Sequence, residues 1–169
     1  MGEEALNRAL KNFVAQHAFQ GPTFPSSEDL LEFIRAEAGP EHEALISDLF
    51  EKITLYELAV DAVEATPVDG AFDVAVTVSA KKMYADGKGV ETEVGFSEPV
   101  QIALFPPEPE DDESFGDEDL PPPTLLTQET LSDGVHTFNY RVEEKPDRVG
   151  IDPYLWMIDR NPENNLKRL

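Results

Sequence analysis

The three histidines are the side chains best suited to metal binding or acid–base catalysis, because imidazole can do both near neutral pH. They are His17, His42 and His136, and no two lie at a spacing that metal ligands use, such as H-x-x-x-H. His42 is followed by Glu43 and then by Ala-Leu-Ile-Ser, so the zinc-protease pattern H-E-x-x-H is absent. We therefore expect structural roles, with His17 near the end of a helix and His136 partly buried in a strand.

The other residue types that commonly do chemistry form no catalytic pattern either. The chain has no cysteine, no serine in a G-x-S-x-G turn, and no G-x-G-x-x-G or P-loop for phosphates. Ser26 and Ser27 are placed to cap a helix, and Gly87 and Gly89 belong to a turn between strands. Carboxylates are plentiful, but no pair stands out as an acid and a base. The sequence predicts that this chain is not an enzyme and has no catalytic, cofactor-binding or metal-binding residue.

Calcium has two weak candidate segments, since carboxylate and amide oxygens are its usual ligands. One is the acidic segment near 106–123, and the other is the stretch from Asp159 to Asn165 with oxygens at alternate positions. The second lacks the central glycine and the bidentate glutamate of a calcium loop. We favour a tail held by Asn and Asp turns over a calcium site.

A cluster of large apolar residues lies near the C-terminus and consists of Tyr154, Leu155, Trp156 and Ile158. Such a cluster is either a binding patch or a segment packed onto the end of a β-sandwich. Packing is the interpretation that we favour.

The charge of the chain restricts its partners. Its 169 residues include 35 acidic and 13 basic ones, giving a net charge of −22. The negative field of this charge repels nucleic acids and anionic membranes. The charge either keeps the protein in solution or attracts a basic partner. The apolar runs are shorter than the roughly 18 residues of a membrane span, and the acidic start Met1-Gly2-Glu3-Glu4 is unlike a signal peptide. We therefore expect a soluble domain without direct membrane insertion.

Helical periodicity in the first part of the chain predicts about three helices. Gly21-Pro22 ends the first, Ser26 and Asp29 form a capping box for the second, and Gly39-Pro40 ends it. The third is expected to begin near Glu41. The three apolar faces are Ala5, Leu6, Ala9, Leu10, Phe13 and Val14; Leu30, Leu31, Phe33 and Ile34; and Leu45, Ile46, Leu49, Phe50 and Ile53. Because no N-cap residue precedes the first helix, we expect it to continue a longer helical region.

After about Ile53 the apolar residues no longer follow helical spacing and instead alternate with polar residues. This pattern predicts seven short strands. Their core positions are Ile53, Leu55, Leu58, Val60 and Val63; Phe72, Val74, Val76 and Val78; Val90, Thr92, Val94 and Phe96; Val100, Ile102 and Leu104; Leu125 to Leu131; His136, Phe138, Tyr140 and Val142; and Arg148 to Ile151. Seven short strands with regular turns indicate an antiparallel, immunoglobulin-like β-sandwich. The fold class is therefore α+β, with a helical segment at 1–52, a sandwich at 53–169, and a disordered acidic loop near 106–123.

Several segments resemble the region that follows the catalytic domain in bacterial zinc aminopeptidases of the membrane alanyl aminopeptidase (gluzincin) family. These segments are Gly2–Leu10, Phe19–Leu30, Leu45–Tyr56, Lys145–Tyr154 and Ile158–Asn165. The similarity is greatest to the branch that is fused to transporter-type membrane segments. None of the quoted segments is an active-site motif of that family, so no catalytic residue is carried over.

The resemblance implies that this chain is the C-terminal, non-catalytic domain of a larger metallopeptidase. Zinc and hydrolase activity would belong to the catalytic domain of a membrane-anchored bacterial parent. Its partners would be the preceding catalytic and helical domains, and its role structural or interaction-based. The alternative is a free-standing acidic module that binds a basic protein.

Overall fold

A computed structural model describes residues 1–22, 24–107 and 120–169. The chain divides into two compact units, Met1–Ile53 and Thr54–Leu169. The first is helical and the second is a β-sandwich, which confirms the predicted α+β fold class. No helix in the described part of the chain is long and apolar enough to cross a membrane.

The helical unit contains α1 (Glu3–His17), α2 (Ser27–Ala38) and α3 (Glu43–Phe50). The capping box of α2 is confirmed: the backbone N–H of Ser26 donates to Asp29 Oδ2 (2.6 Å), and the N–H of Asp29 donates to Ser26 Oγ (3.3 Å). The third helix begins two residues later than expected, because Pro40–His42 form a 3₁₀ turn first.

The core of the helical unit is small. Helices α1 and α2 pack together, and five buried residues form the cluster: Ala9, Leu31, Ile34, Ala38 and Ile46. The apolar face predicted for the third helix is mostly not buried, since Leu45, Leu49 and Phe50 are exposed. Leu6, Leu10 and Val14, spaced four residues apart on α1, are exposed as well.

Eight strands build the sandwich unit. They are β1 (Ile53–Val68), β2 (Ala71–Ala85), β3 (Glu91–Val94), β4 (Ser97–Phe105), β5 (Leu125–Ser132), β6 (Gly134–Val142), β7 (Arg148–Ile151) and β8 (Leu166–Arg168). Seven correspond to predicted strands, whereas β8 follows the strand that was expected to be the last. The Asp69-Gly70 turn between β1 and β2 has positive φ at both residues, as a type I′ hairpin requires.

The strands form two four-stranded sheets. In the first, β2 lies beside β1 and pairs along its other edge with β6 and then with β3. In the second, the order is β5-β4-β7-β8. With β3 set aside, the orders β1-β2-β6 and β5-β4-β7-β8 match strands A-B-E and C′-C-F-G of an immunoglobulin sandwich.

Alternating side chains from both sheets build one core. Its buried members are Tyr56, Leu58, Val60, Val74, Val76, Val78, Ala80, Phe96, Val100, Ile102, Leu104, Leu131, Val149 and Ile151. The predicted phase of β1 is wrong at its start. Ile53 is exposed and Leu55 lies on the outward-facing side, while Thr54 and Tyr56 are buried. Sequence alternation misled here because both residue sets contain large apolar members.

Candidate interaction loop

The segment that follows β7, from Asp152 to Ile158, forms a loop organised around one buried carboxylate. Asp152 Oδ1 accepts the backbone N–H of Trp156 (3.1 Å), and Oδ2 accepts that of Met157 (2.9 Å). The Asp152 N–H donates to the Gln101 carbonyl on β4 (2.8 Å), and this bond ties the loop to the sandwich. The path of the loop is thus fixed by hydrogen bonds at both ends.

Two residues of this loop have left-handed backbone conformations that only glycine adopts easily. Asp152 has φ 42° and Leu155 has φ 53°. For a non-glycine residue such a conformation costs on the order of 1 kcal/mol or more, and it persists only where the surroundings enforce it. Strain of this kind at an exposed loop is a reason to look for function there.

Burial raises the pKa of the Asp152 carboxyl above its usual value, and the nearby Asp159 acts in the same direction. The two backbone N–H groups of Trp156 and Met157 oppose this effect, because they stabilise the carboxylate. The Asp152 carboxylate that organises the loop therefore lies in an environment that disfavours its charged form.

The side chains that this backbone presents are large, apolar and exposed. Tyr154, Leu155, Trp156 and Ile158 are between 43% and 69% exposed, while Met157 packs against the core. The rings of Tyr154 and Trp156 lie 6.5 Å apart. The expectation that this cluster is packed onto the sandwich is therefore wrong for these four residues, and the binding-patch alternative remains.

The strap after the loop, residues 158–164, runs along the free edge of β1. Tyr56 donates its N–H to the Ile158 carbonyl (2.9 Å) and accepts the N–H of Arg160 at its own carbonyl (3.0 Å). Asp159 accepts the N–H groups of Leu58 (3.0 Å) and Asn161 (2.9 Å). Both carboxylate oxygens of Asp159 therefore bind backbone amides, which supports a turn-held tail over a calcium loop.

The loop lies in a nearly neutral part of the sequence. Residues 145–169 contain five basic and four acidic side chains, whereas residues 1–144 contain eight basic and 31 acidic ones. This nearly neutral region repels an acidic partner less than the strongly acidic region of residues 1–144 would.

The three histidines occupy unrelated settings. The His17 ring lies 5.0 Å from Phe13, and His42 contacts the N-terminal amino group. His136 Nε2 lies 2.9 Å from the Ser132 carbonyl. In the described ranges, no three acidic or histidine side chains are grouped so that they could hold a metal.

The remaining candidates have local structural roles. The side chain of Ser26 caps α2, and Ser27 is the first residue of that helix. The turn that contains Gly87 and Gly89 is organised by Asp86, which accepts N–H groups from Lys88 (2.8 Å) and Val90 (2.9 Å). Of the acidic segment near 106–123, residues 108–119 lie outside the described residues.

A buried polar cluster connects the two sheets and was missed by the sequence reading. Lys82 on β2 forms an ion pair with Glu98 on β4, and Tyr56 on β1 donates its hydroxyl to the other Glu98 oxygen (2.7 Å). Burial, and then Glu98, raise the pKa of Tyr56 above its usual range. Tyr56 and Lys82 are buried and Glu98 is mostly so. The geometry of the cluster suits holding the sheets together.

Comparison with protein-family models, with curated proteins and with solved structures gives no match to this chain. The loop must therefore be judged by its own geometry. One sequence signal could have located its organising residue: Asp152 precedes Pro153, and Asp-Pro favours the start of a turn.

Proposed function

We propose that this chain is a non-catalytic protein-interaction domain whose contact surface is the loop side chains Tyr154, Leu155, Trp156 and Ile158. The observation that carries the proposal is their exposure on a backbone fixed by the Asp152 carboxylate. Tryptophan and tyrosine contribute most often to binding hot spots, and a fixed backbone loses little entropy on binding.

We further propose that the partner region belongs to a zinc aminopeptidase-like parent chain. The support is the resemblance of 145–154 and 158–165, two segments that include β7, the start of the loop and the strap. Their polar side chains, including Asp152 and Asp159, hold backbone rather than surround a substrate. A domain of this kind would shape or close the peptidase cavity.

The unequal distribution of charge favours the alternative function, a free-standing module for a basic protein. The net charge of residues 1–144 is strongly negative, and such a surface attracts basic partners in a salt-dependent way. Binding that disappears at high salt and does not depend on Trp156 would favour this second candidate.

The test of the first proposal combines the purified full chain with the peptidase region that the proposal places upstream in the parent gene. We expect Trp156→Ala and Tyr154→Ala each to weaken binding in trans by about tenfold or more, as at hot spots. Val90→Ala is the matched control, since Val90 is similarly exposed but lies in the turn before β3. Equal binding by all variants would remove the loop from the interface.

Two further results would contradict the broader proposal. An upstream reading frame without H-E-x-x-H would reject the peptidase parent while leaving an interaction domain possible. Hydrolysis of an aminoacyl-nitroanilide by the zinc-supplemented chain alone would reject the non-catalytic role.

A further inference from the structure

Exposed sheet edges recruit extended segments of other chains unless some feature blocks them, because their backbone N–H and C=O groups are unpaired. In the described residues the two sheets have five edge strands, namely β1, β3, β5, β6 and β8. Four of these five carry a recognised protective feature.

Strand β1 is covered near Tyr56 by the strap and contains Pro67 near its far end. Strands β3 and β8 are only four and three residues long, and two residues of each are charged. Strand β5 points Glu129 inward, and an inward charge disfavours the addition of a strand.

Strand β6 has none of these features. It is nine residues long, contains no proline, and pairs in unbroken register with β2 from Phe72↔Val142 to Ala80↔Gly134. Its one charged residue, Arg141, lies at the end and binds Asp73 (3.2 Å). No described strand lies on its other side, which is where the A-B-E-D sheet of an immunoglobulin constant domain has its fourth strand.

The inward side chains of β6 form an incompletely covered aromatic ladder. His136 stacks on Phe138 with centroids 6.3 Å apart, and Phe138 stacks on Tyr140 at 6.5 Å. All three are only partly buried. An added strand would cover this ladder while satisfying the backbone of β6.

The charges around β6 indicate which kind of strand fits. Asp133 precedes it and Glu143 and Glu144 follow it, and all three are exposed. A second copy of this chain would bring the same acidic groups together, along with a net charge of −22 on each molecule. A segment with basic residues at its ends and alternating apolar residues in its middle complements this edge.

We propose that the free edge of β6 accepts, as an added β-strand, an extended basic segment of a partner protein. The site is separate from the loop of residues 152–158 and does not depend on the function proposed for that loop.

The direct test titrates the isotope-labelled full chain with a nine-residue peptide of alternating valine and threonine with two lysines at each end. The expected result is a set of amide shifts and slowed hydrogen exchange centred on 134–142, saturating below millimolar peptide. The control peptide has the same sequence with alternate backbone amides methylated, so that it cannot pair. Absence of shifts at millimolar peptide, equal binding of the methylated peptide, or dimerisation of the chain through β6 would each overturn the proposal.

Adjacent proline variants locate the pairing edge. Neighbouring residues of a strand direct their N–H groups to opposite sides, so of Phe138→Pro and Asn139→Pro one breaks the β2 ladder and the other removes an outward donor. The variant that retains the wild-type melting temperature is expected to bind the peptide about tenfold more weakly. Phe138→Ala is the control for loss of the Phe138 ring, which Phe138→Pro also removes. The double variant Glu143→Lys, Glu144→Lys tests the charge preference without touching the strand. Trp156→Ala should bind the peptide as well as wild type does. Unchanged peptide binding in the stable proline variant would reject β6 as the site.

Discussion

The helical unit and the sandwich unit bury their apolar side chains to very different extents. The sandwich buries 14 residues in one core drawn from both sheets, whereas the helical cluster contains five. Among the described residues, the 53-residue helical unit still has nine exposed large apolar side chains, against seven in the much longer sandwich unit.

The comparison teaches that the two units depend on their surroundings differently. A core of five residues supplies little of the free energy that a chain of this length needs. The exposed apolar residues Leu6, Leu10 and Val14 on α1 add nothing to that core. The exposed apolar residues of the sandwich, by contrast, are concentrated in the loop of residues 152–158.

Separating the units should have the largest effect. We expect residues 54–169 to unfold cooperatively on their own, and residues 1–53 alone to lack a cooperative transition, because only the first fragment retains a large core. Circular dichroism melts of both fragments and of the full chain check this. A sharp transition in the isolated helical fragment would contradict the comparison.

Breaking an ion pair should cost far more in the sandwich than in the helical unit. Lys82→Met leaves Glu98 without its cation in the buried cluster between the sheets, and we expect a loss of about 3 kcal/mol in the free energy of unfolding. Arg35 also pairs with two carboxylates, Glu43 (2.9 Å) and Glu51 (2.7 Å), but at the surface.

The matched control is therefore Arg35→Met, which should have a much smaller effect, since exposed pairs are screened by solvent. Urea denaturation of both variants provides the measurement. Losses of similar size would show that burial does not distinguish the two pairs.

The smallest effect concerns the capping box of α2. Ser26→Ala removes one cap hydrogen bond and should cost about 1 kcal/mol in the stability of the helix. The N–H of Ser26, and then its hydroxyl, lower the pKa of Asp29. The stabilisation that these two hydrogen bonds give is present above the ordinary pKa of an aspartate and is lost as the pH falls through the lower folded pKa.

Amide exchange of α2 as a function of pH measures this dependence, with Asp29→Asn as the variant that lacks it. Glu28→Gln serves as the control, because Glu28 takes no part in the capping box. Persistence of the acid-induced loss in Asp29→Asn would assign it to another group.

Local rules predicted much of the fold because the responsible residues are neighbours in sequence. Ser26 and Asp29 lie three residues apart, and the alternation of Val74, Val76 and Val78 identifies β2 directly. Long-range contacts were not predictable in this way. The core positions predicted for β2 stop at Val78, whereas the strand continues to Ala85. Nothing local indicates that Glu98 will neutralise Lys82 inside the fold. Strand β8 was missed because a strand of three residues has too little pattern of its own.

The candidate loop also has one feature that the local sequence predicts and one that depends on the three-dimensional structure. Sequence alone located Tyr154 and Trp156 as an apolar cluster, but their exposure depends on backbone conformations at Asp152 and Leu155 that no composition rule predicts. The choice between packing and binding therefore required the structure.

Trp156 is the one tryptophan of the chain, and it lies in the exposed loop. Its fluorescence should therefore change little when the protein unfolds, because the indole is largely in water in both states. A shift of its emission to shorter wavelength would instead report that the loop has become covered. The natural sequence thus contains a probe of partner engagement that needs no label and is largely insensitive to folding.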